Sequence, residues 1–245
     1  INPNVFTSKT DELPTFPESW ARPPVGELED LKFCVIDITY RQRNAPNETY
    51  DSRDFGDVAV VDLHGVDQEG RSVSVHAHDF QPYFYCSIPS DFQASNVNLF
   101  KKNLENALSS TSKNADVSII KKVEIVNKRN IMYYQPDGEQ RFLKITTQLP
   151  KQVATCRTAI EEGKVEMTNA RQYRCQTFES NVDFVLRFMN DRQITGCSWV
   201  TIPKGKYTLL SPKDKRTFSQ IELDTNFESI EGHPCEGDWM EIPRL

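Results

Sequence analysis

The sequence predicts an α+β fold in which an OB-like β-barrel portion is followed by a ferredoxin-like portion, of the kind found in RNA-recognition modules. Residues 31–80 contain three β-rich runs in succession with little helical pattern between them, which suits a small barrel or a curled sheet. From residue 81 the pattern follows the order strand, helix, strand, strand, helix. That order is the beginning of a split βαβ arrangement.

The first 30 residues are predicted to be an extended lead-in. Prolines block regular helix and sheet there, at Pro14, Pro17, Pro23 and Pro24. From Leu31, apolar residues alternate along "LKFCVIDITY", which predicts the first strand of the OB-like portion over residues 31–80. Two further β-rich runs flank "VDQEG" and indicate a β-hairpin.

Residues 81–245 are predicted to form the ferredoxin-like portion, which ends in an irregular tail. "QPYFYCSIP" predicts a strand, and helical spacing follows at Val97, Phe100, Leu104 and Leu108. "VSIIKKVEIV" and "RFLKIT" predict two more strands, and "PKQVATCRTAIEEG" predicts a helix with Pro150 in its first turn. A further helix and further strands are expected as far as Leu223.

Composition excludes several classes of protein. The net charge of −6 over 245 residues argues against broad electrostatic attraction to nucleic acid or to a membrane. The apolar runs are far shorter than the roughly 20 residues that cross a bilayer, and no signal-peptide pattern is present. The six cysteines are widely spaced and include no CxxC pair, which favours buried thiols over zinc or a disulfide framework.

Two carboxylates, Asp183 and Asp191, flank the apolar run in "SNVDFVLRFMNDRQITGCSW". Ser180 three residues before Asp183 resembles a capping box, and it would place Asp183 in the first turn of a helix. The alternative is a metal-binding catalytic pair, which would need further acids from other elements. The pattern favours the structural role.

His76 and His78 lie two residues apart on a predicted strand, so both rings point to one face. That spacing can chelate a metal, but no third ligand is evident. We therefore expect a surface pair or a pair satisfied by other side chains. The signatures GxxxxGK[ST], GxGxxG, GxSxG and HExxH are absent from the sequence.

Aromatic and basic residues interleave on the predicted strands and are the best candidates for a nucleic-acid interface. Such a face can stack unpaired bases and hold phosphates. The candidate residues are Tyr83, Tyr85, Lys121, Lys122, Lys128, Arg129, Phe142 and Lys144. The alternative, which these residues alone favour, is that the aromatic rings face the core and the lysines form a solvated rim.

Several segments together resemble one family, the catalytic subunits of eukaryotic DNA polymerase delta within the B-family polymerases. The segments are "VDQEGRSVSVHAHDFQPYFYCSIP", "RNIMYYQPDGEQRFLKITTQLP", "ESNVDFVLRFMNDRQITGCSWVTIPKGKY" and "HPCEGDWMEIPRL". The resemblance runs from about Leu13 to Leu245 and is to the amino-terminal region of the family. It implies an OB-like part beside a part that resembles RNA-recognition modules.

The resemblance also implies a function. The family's exonuclease and polymerase carboxylates, with their Mg²⁺, lie beyond this segment, so it implies no catalytic or metal-binding residue and no cofactor within these 245 residues. It implies a noncatalytic domain in the nucleus that braces the exonuclease and guides single-stranded template DNA in replication. The partners would be the exonuclease and polymerase domains of the same chain and accessory polymerase subunits, with no membrane.

Two other hypotheses remain. One is a free-standing module that binds single-stranded nucleic acid, although the ending at Arg244 and Leu245 without a polar tail favours a segment of a longer chain. The other is an autonomous metal-dependent nuclease that uses Asp183 and Asp191, which the resemblance makes remote.

Overall fold

The computed structural model describes residues 29–44, 57–109, 119–130, 138–168 and 171–233. Within these ranges the chain forms two main sheets, a small two-stranded sheet and three α-helices, which confirms the α+β class. The elements in chain order are β1 (Leu31–Asn44), β2 (Asp57–Asp67), β3 (Ser72–His78), β4 (Tyr83–Ser87), α1 (Val97–Ser109), β5 (Ile120–Lys128), β6 (Gln140–Thr147), α2 (Pro150–Glu161), β7 (Glu166–Thr168), β8 (Arg171–Gln172), β9 (Thr177–Phe178), α3 (Phe184–Asp191), β10 (Trp199–Ile202), β11 (Tyr207–Leu209), β12 (Ile221–Asn226) and β13 (Glu231–His233). The lead-in expected over residues 1–30 lies outside the described residues except for its last two.

The first sheet has the strand order β11-β12-β3-β2-β1-β10-β13. β1, β2 and β3 form an antiparallel meander that includes the predicted hairpin. β12 runs parallel to β3, with Ile221 opposite Val73. One face of this sheet forms the first hydrophobic core, which includes Phe33, Leu63 and Leu223.

The boundary expected between residues 80 and 81 does not separate the two sheets. Strands β10 to β13, from residues 199–233, were assigned by sequence to the second portion, but they complete the first sheet. The physical reason is that strand pairing across a long connection depends on the tertiary fold, whereas local patterns report only that a strand exists.

The second sheet has the order β5-β6-β4-β9, and all its neighbours are antiparallel. Along the chain its elements follow the order β4, α1, β5, β6, α2 and β9, with β7 and β8 inserted before the last strand. Phe84 and Leu143 point from this sheet into the second hydrophobic core, where they meet Phe100 and Leu104 of α1. The helices therefore cover one face of the sheet.

Helix α3 begins one residue after Asp183, which is its N-cap. The Asp183 carboxylate accepts hydrogen bonds from the backbone N–H groups of Val185 (2.9 Å) and Leu186 (3.3 Å). The helix-start role predicted for Asp183 is correct, but its position is not the first turn. Ser180 does not cap the helix, because it lies three residues before the N-cap residue, and its hydroxyl lies 3.2 Å from that of Thr177.

The free thiols Cys34, Cys86, Cys156 and Cys175 are buried, as expected. Cys197 is exposed, because it lies in the turn that precedes β10. Cys235 is outside the described residues. The described helices are all too short or too polar to cross a membrane.

Candidate nucleic-acid interface

The face of the second sheet opposite α1 and α2 carries most of the predicted aromatic and basic residues. Tyr85 pairs with Lys144, and Ser87 pairs with Phe142. Because paired residues of antiparallel strands share a face, Tyr83, Tyr85, Phe142 and Lys144 all lie on this side of the sheet. The predicted alternation on β4 and β6 is therefore correct, and we call this side the outer face.

Tyr83 is held by other side chains of the protein. The Lys144 ammonium lies 3.9 Å from the centre of its ring, and the Arg187 guanidinium carbon lies 4.4 Å from it. Its hydroxyl donates to both carboxylate oxygens of Asp191, at 2.9 and 2.8 Å. Burial and the hydrogen bond to Asp191 raise the pKa of Tyr83. Its predicted role in stacking bases stays a prediction, and these contacts do not favour it.

A cavity of about 410 Å³ lies at the other end of the outer face. Four of the predicted residues line it, namely Tyr85, Lys128, Arg129 and Phe142. The remaining lining residues are Asn130, Gln176, Thr177, Phe178, Glu179, Ser180 and Asn181. The structure thus brings half of the predicted set together around one cavity.

Lys121 and Lys122 lie at the opposite end of β5 from Lys128. Lys121 and Lys128 are seven positions apart along the strand, which corresponds to roughly 20 Å. Lys122 forms an ion pair with Glu124 at 2.7 Å. These two lysines therefore do not belong to the cavity.

Phe178 is the aromatic residue that sequence reasoning missed. It pairs with Tyr85 across β4 and β9, and its ring centre lies 5.3 Å from that of Phe142 in an edge-to-face arrangement. β9 is only two residues long, so no alternation could mark it as a strand. The only signal is an isolated aromatic in a polar stretch, which does not predict a face.

The charges around the cavity favour an anion. Lys128 and Arg129 are exposed cations, and among the lining residues that the structure describes Glu179 is the only acid. The Glu179 carboxylate forms an ion pair with Arg187. Burial opposes the charge of Arg187, but the hydrogen bonds with Glu179 and Tyr83 outweigh it and raise its pKa. The negative charge of Glu179 is thereby compensated.

The two predicted histidines belong to a buried polar network in the first sheet. His76 Nδ1 lies 2.6 Å from Asp62 Oδ1, and its Nε2 lies 2.9 Å from Glu222 Oε1. His78 Nε2 lies 2.7 Å from Asp224 Oδ1. The pair is therefore satisfied by carboxylates, and it is buried rather than on the surface.

Residues 216 and 217 cover part of this network. The Glu222 carboxylate accepts hydrogen bonds from the backbone N–H groups of Arg216 (2.8 Å) and Thr217 (3.0 Å). Burial alone would raise the pKa of Glu222, but its hydrogen bonds from His76 and Thr217 lower it. The network thus ties the loop before β12 to the polar face of the sheet.

The carboxylates that sequence reasoning considered for metal catalysis are already engaged. Asp183 caps α3, and Asp191 accepts from Tyr83. Among the residues that the structure describes, no group of three or more His, Cys, Asp or Glu side chains could hold a metal ion. Within the described residues, the carboxylates of Asp183 and Asp191 therefore serve as hydrogen-bond acceptors for the protein itself.

Two family models match the chain. The model described as DNA polymerase delta catalytic subunit-like, N-terminal domain, matches residues 79–154. The model described as DNA polymerase family B, exonuclease domain, matches residues 175–245. The resemblance implied that the family's exonuclease carboxylates lie beyond residue 245, and similarity to the exonuclease model already begins at residue 175, just before β9.

Curated DNA polymerase delta catalytic subunits are similar over most of the chain. The Arabidopsis thaliana protein is 34% identical over 91% of this chain and 21% of its own length. The Oryza sativa subsp. japonica protein is 37% identical (91% of this chain, 20% of its own), and the Drosophila melanogaster protein is 33% identical (94% and 22%). The chain therefore spans about a fifth of the length of these relatives.

A solved structure with a similar fold is the family B DNA polymerase from the hyperthermophilic archaeon Pyrobaculum calidifontis. The TM-score is 0.56 at 21% identity, over 88% of this chain and 21% of that chain. This likeness shows a shared fold. Taken with the sequence similarity, it leads to one conclusion: the chain belongs to the DNA polymerase delta catalytic subunit family of B-family polymerases and corresponds to the amino-terminal region of those subunits.

Proposed function

We propose that this chain is the noncatalytic amino-terminal domain of a replicative DNA polymerase, where it braces the exonuclease domain and guides single-stranded template DNA. Membership of the DNA polymerase delta catalytic subunit family supports the proposal that the chain is part of a replicative polymerase. Because the relatives are about five times as long as this chain, we assign polymerase and exonuclease chemistry, its Mg²⁺ and the docking of accessory subunits to such a longer protein. A replicative role implies action in the nucleus.

We also propose that the two sheets are the OB-like and ferredoxin-like portions expected from the sequence. The antiparallel meander of β1, β2 and β3 supports the first assignment. The element order β4, α1, β5, β6, α2 and β9 supports the second, because it repeats the strand and helix order of a ferredoxin-like unit.

The bracing role is supported by contacts that join the two sheets. Tyr83 of the second sheet bonds to Asp191 at the end of α3. The same helix places Phe184 and Phe188 in the core of the first sheet. A domain whose halves are joined in this way can act as a rigid support. Tyr83 lies in the segment that matches the N-terminal-domain model and Asp191 in the segment with exonuclease-type similarity, so the contact joins these two segments.

One observation carries the proposed role in guiding single strands, namely the cavity that combines the aromatic Tyr85 and Phe178 with the cations Lys128 and Arg129. Aromatic side chains stack on exposed bases, and cations pair with the backbone. The net charge of −6 opposes tight binding, so we expect a dissociation constant on the order of 10⁻⁴ to 10⁻⁶ M that weakens as salt rises.

Fluorescence anisotropy with a labelled oligonucleotide tests this proposal. Single strands should bind more tightly than duplex of the same length, and Lys128→Ala should reduce the salt dependence by about one phosphate contact. Lys122→Ala is the matched control, because Lys122 pairs with Glu124 and lies far from the cavity. Equal affinity for duplex, or equal effects of the two substitutions, would contradict the proposal.

A further inference from the structure

We infer that the cavity on the outer face is a pocket for one unpaired nucleotide of a DNA strand, a more specific role that rests on the proposed binding of single strands. Its volume of about 410 Å³ falls within the range of about 300–1,000 Å³ of small-molecule sites. Its lining combines aromatic, cationic and amide side chains. These are the groups that a base, a phosphate and a base edge require.

Three aromatic side chains line the cavity, namely Tyr85, Phe142 and Phe178. Phe142 is only 5% exposed, and its ring meets that of Phe178 at an interplanar angle of 82°. Tyr85 and Phe178 are half-buried and keep part of their surface towards the cavity. Phe142 is therefore a positioning residue for Phe178, whereas Tyr85 and Phe178 offer the surfaces on which a base can stack.

The polar part of the lining fits the remainder of a nucleotide. Lys128 and Arg129 are adjacent exposed cations at the end of β5, suited to a phosphate. The side-chain amides of Gln176 and Asn181 have no hydrogen-bond partner among the residues that the structure describes. Each amide offers a donor and an acceptor, as hydrogen bonding to a base edge requires.

The occupant must be unpaired. Within a duplex both faces of a base are stacked and its pairing edge is occupied, so a paired base cannot enter a pocket. Glu179, the one acid among the described lining residues, pairs with Arg187, so the positive charges of Lys128 and Arg129 dominate the electrostatic potential in the cavity. The pocket therefore selects an anionic, unstacked nucleotide over duplex.

A comparison of two strands on the 245-residue protein tests the pocket. One strand is a labelled short oligothymidylate, and the other is an abasic strand of the same length that keeps every phosphate. Wild type should bind the strand with bases about 5- to 150-fold more tightly, the factor expected for stacking one base. Phe178→Ala should remove that preference and leave the affinity for the abasic strand unchanged.

Two further variants complete the experiment. Phe178→Leu keeps an apolar side chain without an aromatic face, and it should also lose the preference for the strand with bases. It replaces Phe178→Ala in the comparison if the alanine variant does not fold. Phe218→Ala is the matched control, because Phe218 is 59% exposed and lies outside the cavity lining. It should keep the wild-type preference.

The outcomes separate the pocket from the proposed function. If wild type binds both strands equally, the nucleotide pocket is excluded while single-strand binding through phosphates stands. If wild type binds neither strand, both the proposed binding of single strands and the nucleotide pocket are contradicted. A preference that survives in the folded Phe178 variants overturns the assignment to this cavity.

Discussion

The hydroxyl of Tyr83 donates a hydrogen bond of 2.8 Å to the carboxylate of Asp191, and this bond joins the second sheet to helix α3. Asp191 ends a helix whose Phe188 is fully buried in the core of the first sheet. Arg187 lies over the ring of Tyr83 and reinforces the same contact. The Tyr83 hydroxyl is protonated at neutral pH, and because burial and this hydrogen bond raise its pKa, it remains a donor into the alkaline range.

We predict that Tyr83→Phe lowers the free energy of unfolding by about 1 to 2 kcal/mol, because it removes a hydrogen bond to a charged acceptor that keeps some contact with water. Urea denaturation measures the change. Tyr40→Phe is the matched control, since the Tyr40 hydroxyl makes no hydrogen bond within the described residues and the residue is 40% exposed. Equal stability changes for the two variants would show that the hydrogen bond between Tyr83 and Asp191 does not contribute to the free energy of unfolding.

Asp183 should behave as a helix cap. Asp183→Ala should cost about 0.5 to 2 kcal/mol of stability, because two backbone N–H groups lose their acceptor. Asp183→Asn should cost at most about 1 kcal/mol, since asparagine caps helices about as well. Thermal and urea denaturation of both variants checks this. A folded Asp183→Asn protein that has lost DNA or metal binding would show that the carboxylate has a ligand-binding role instead.

Gly65 should tolerate no side chain. A Cβ at this position would lie 2.1 Å from the backbone oxygen of Cys34 and 2.8 Å from a ring carbon of Phe33, on the neighbouring strand β1. Backbone cannot yield as a flexible side chain does, so Gly65→Ala should destabilise the protein by at least about 2 kcal/mol. Gly196→Ala is the control, because a Cβ there meets nothing within 4 Å. A Gly65→Ala variant as stable as the control would refute this close approach.

The buried network of His76, His78 and their carboxylate partners should make the free energy of unfolding fall as the solution becomes acidic. Burial alone would raise the pKa of Asp224, but hydrogen bonds from His78 and Arg216 lower it to about 2. A carboxyl group with a lowered folded pKa stabilises the protein above its unfolded pKa of about 3.9, and this contribution is lost as pH falls towards 2. Between about pH 6 and about pH 3 the loss should be about 1 kcal/mol.

Asp224→Asn isolates that contribution. The variant should be less stable than wild type near neutral pH, and the difference should narrow as the pH falls, because wild type alone has this carboxylate to protonate. Urea titrations at several pH values measure the difference. A gap that stays constant down to about pH 3 would mean that Asp224 does not carry the effect.

Alternation along single strands is enough to predict which side chains share the outer face. Tyr85 and Phe142 are placed correctly because a strand has a period of two, whatever its neighbours. Phe178 could not be placed, since two residues of β9 contain no period. The pairing of β12 with β3 could not be predicted either, because the register between distant strands is decided by the packed core.

The sequence also could not predict which other side chains each candidate residue contacts. Tyr83 and Lys144 contact each other, and Tyr83 also contacts Arg187 of α3, whereas their predicted contacts with DNA stay a prediction. Their sequence positions report a common face, whereas their availability depends on how α3 packs over one end of it. The same limit explains the cap at Asp183, where the helix begins three residues later than a cap at Ser180 would require.

Photo-crosslinking can show directly whether the outer face of the second sheet binds unpaired DNA. A single strand with 5-bromodeoxyuridine in place of thymidine is irradiated with the protein, and the cross-linked peptides are identified by mass spectrometry. We predict cross-links at Tyr85 or Phe178, and their loss when duplex replaces the single strand. Cross-links confined to the first sheet, or equally strong with duplex, would contradict it.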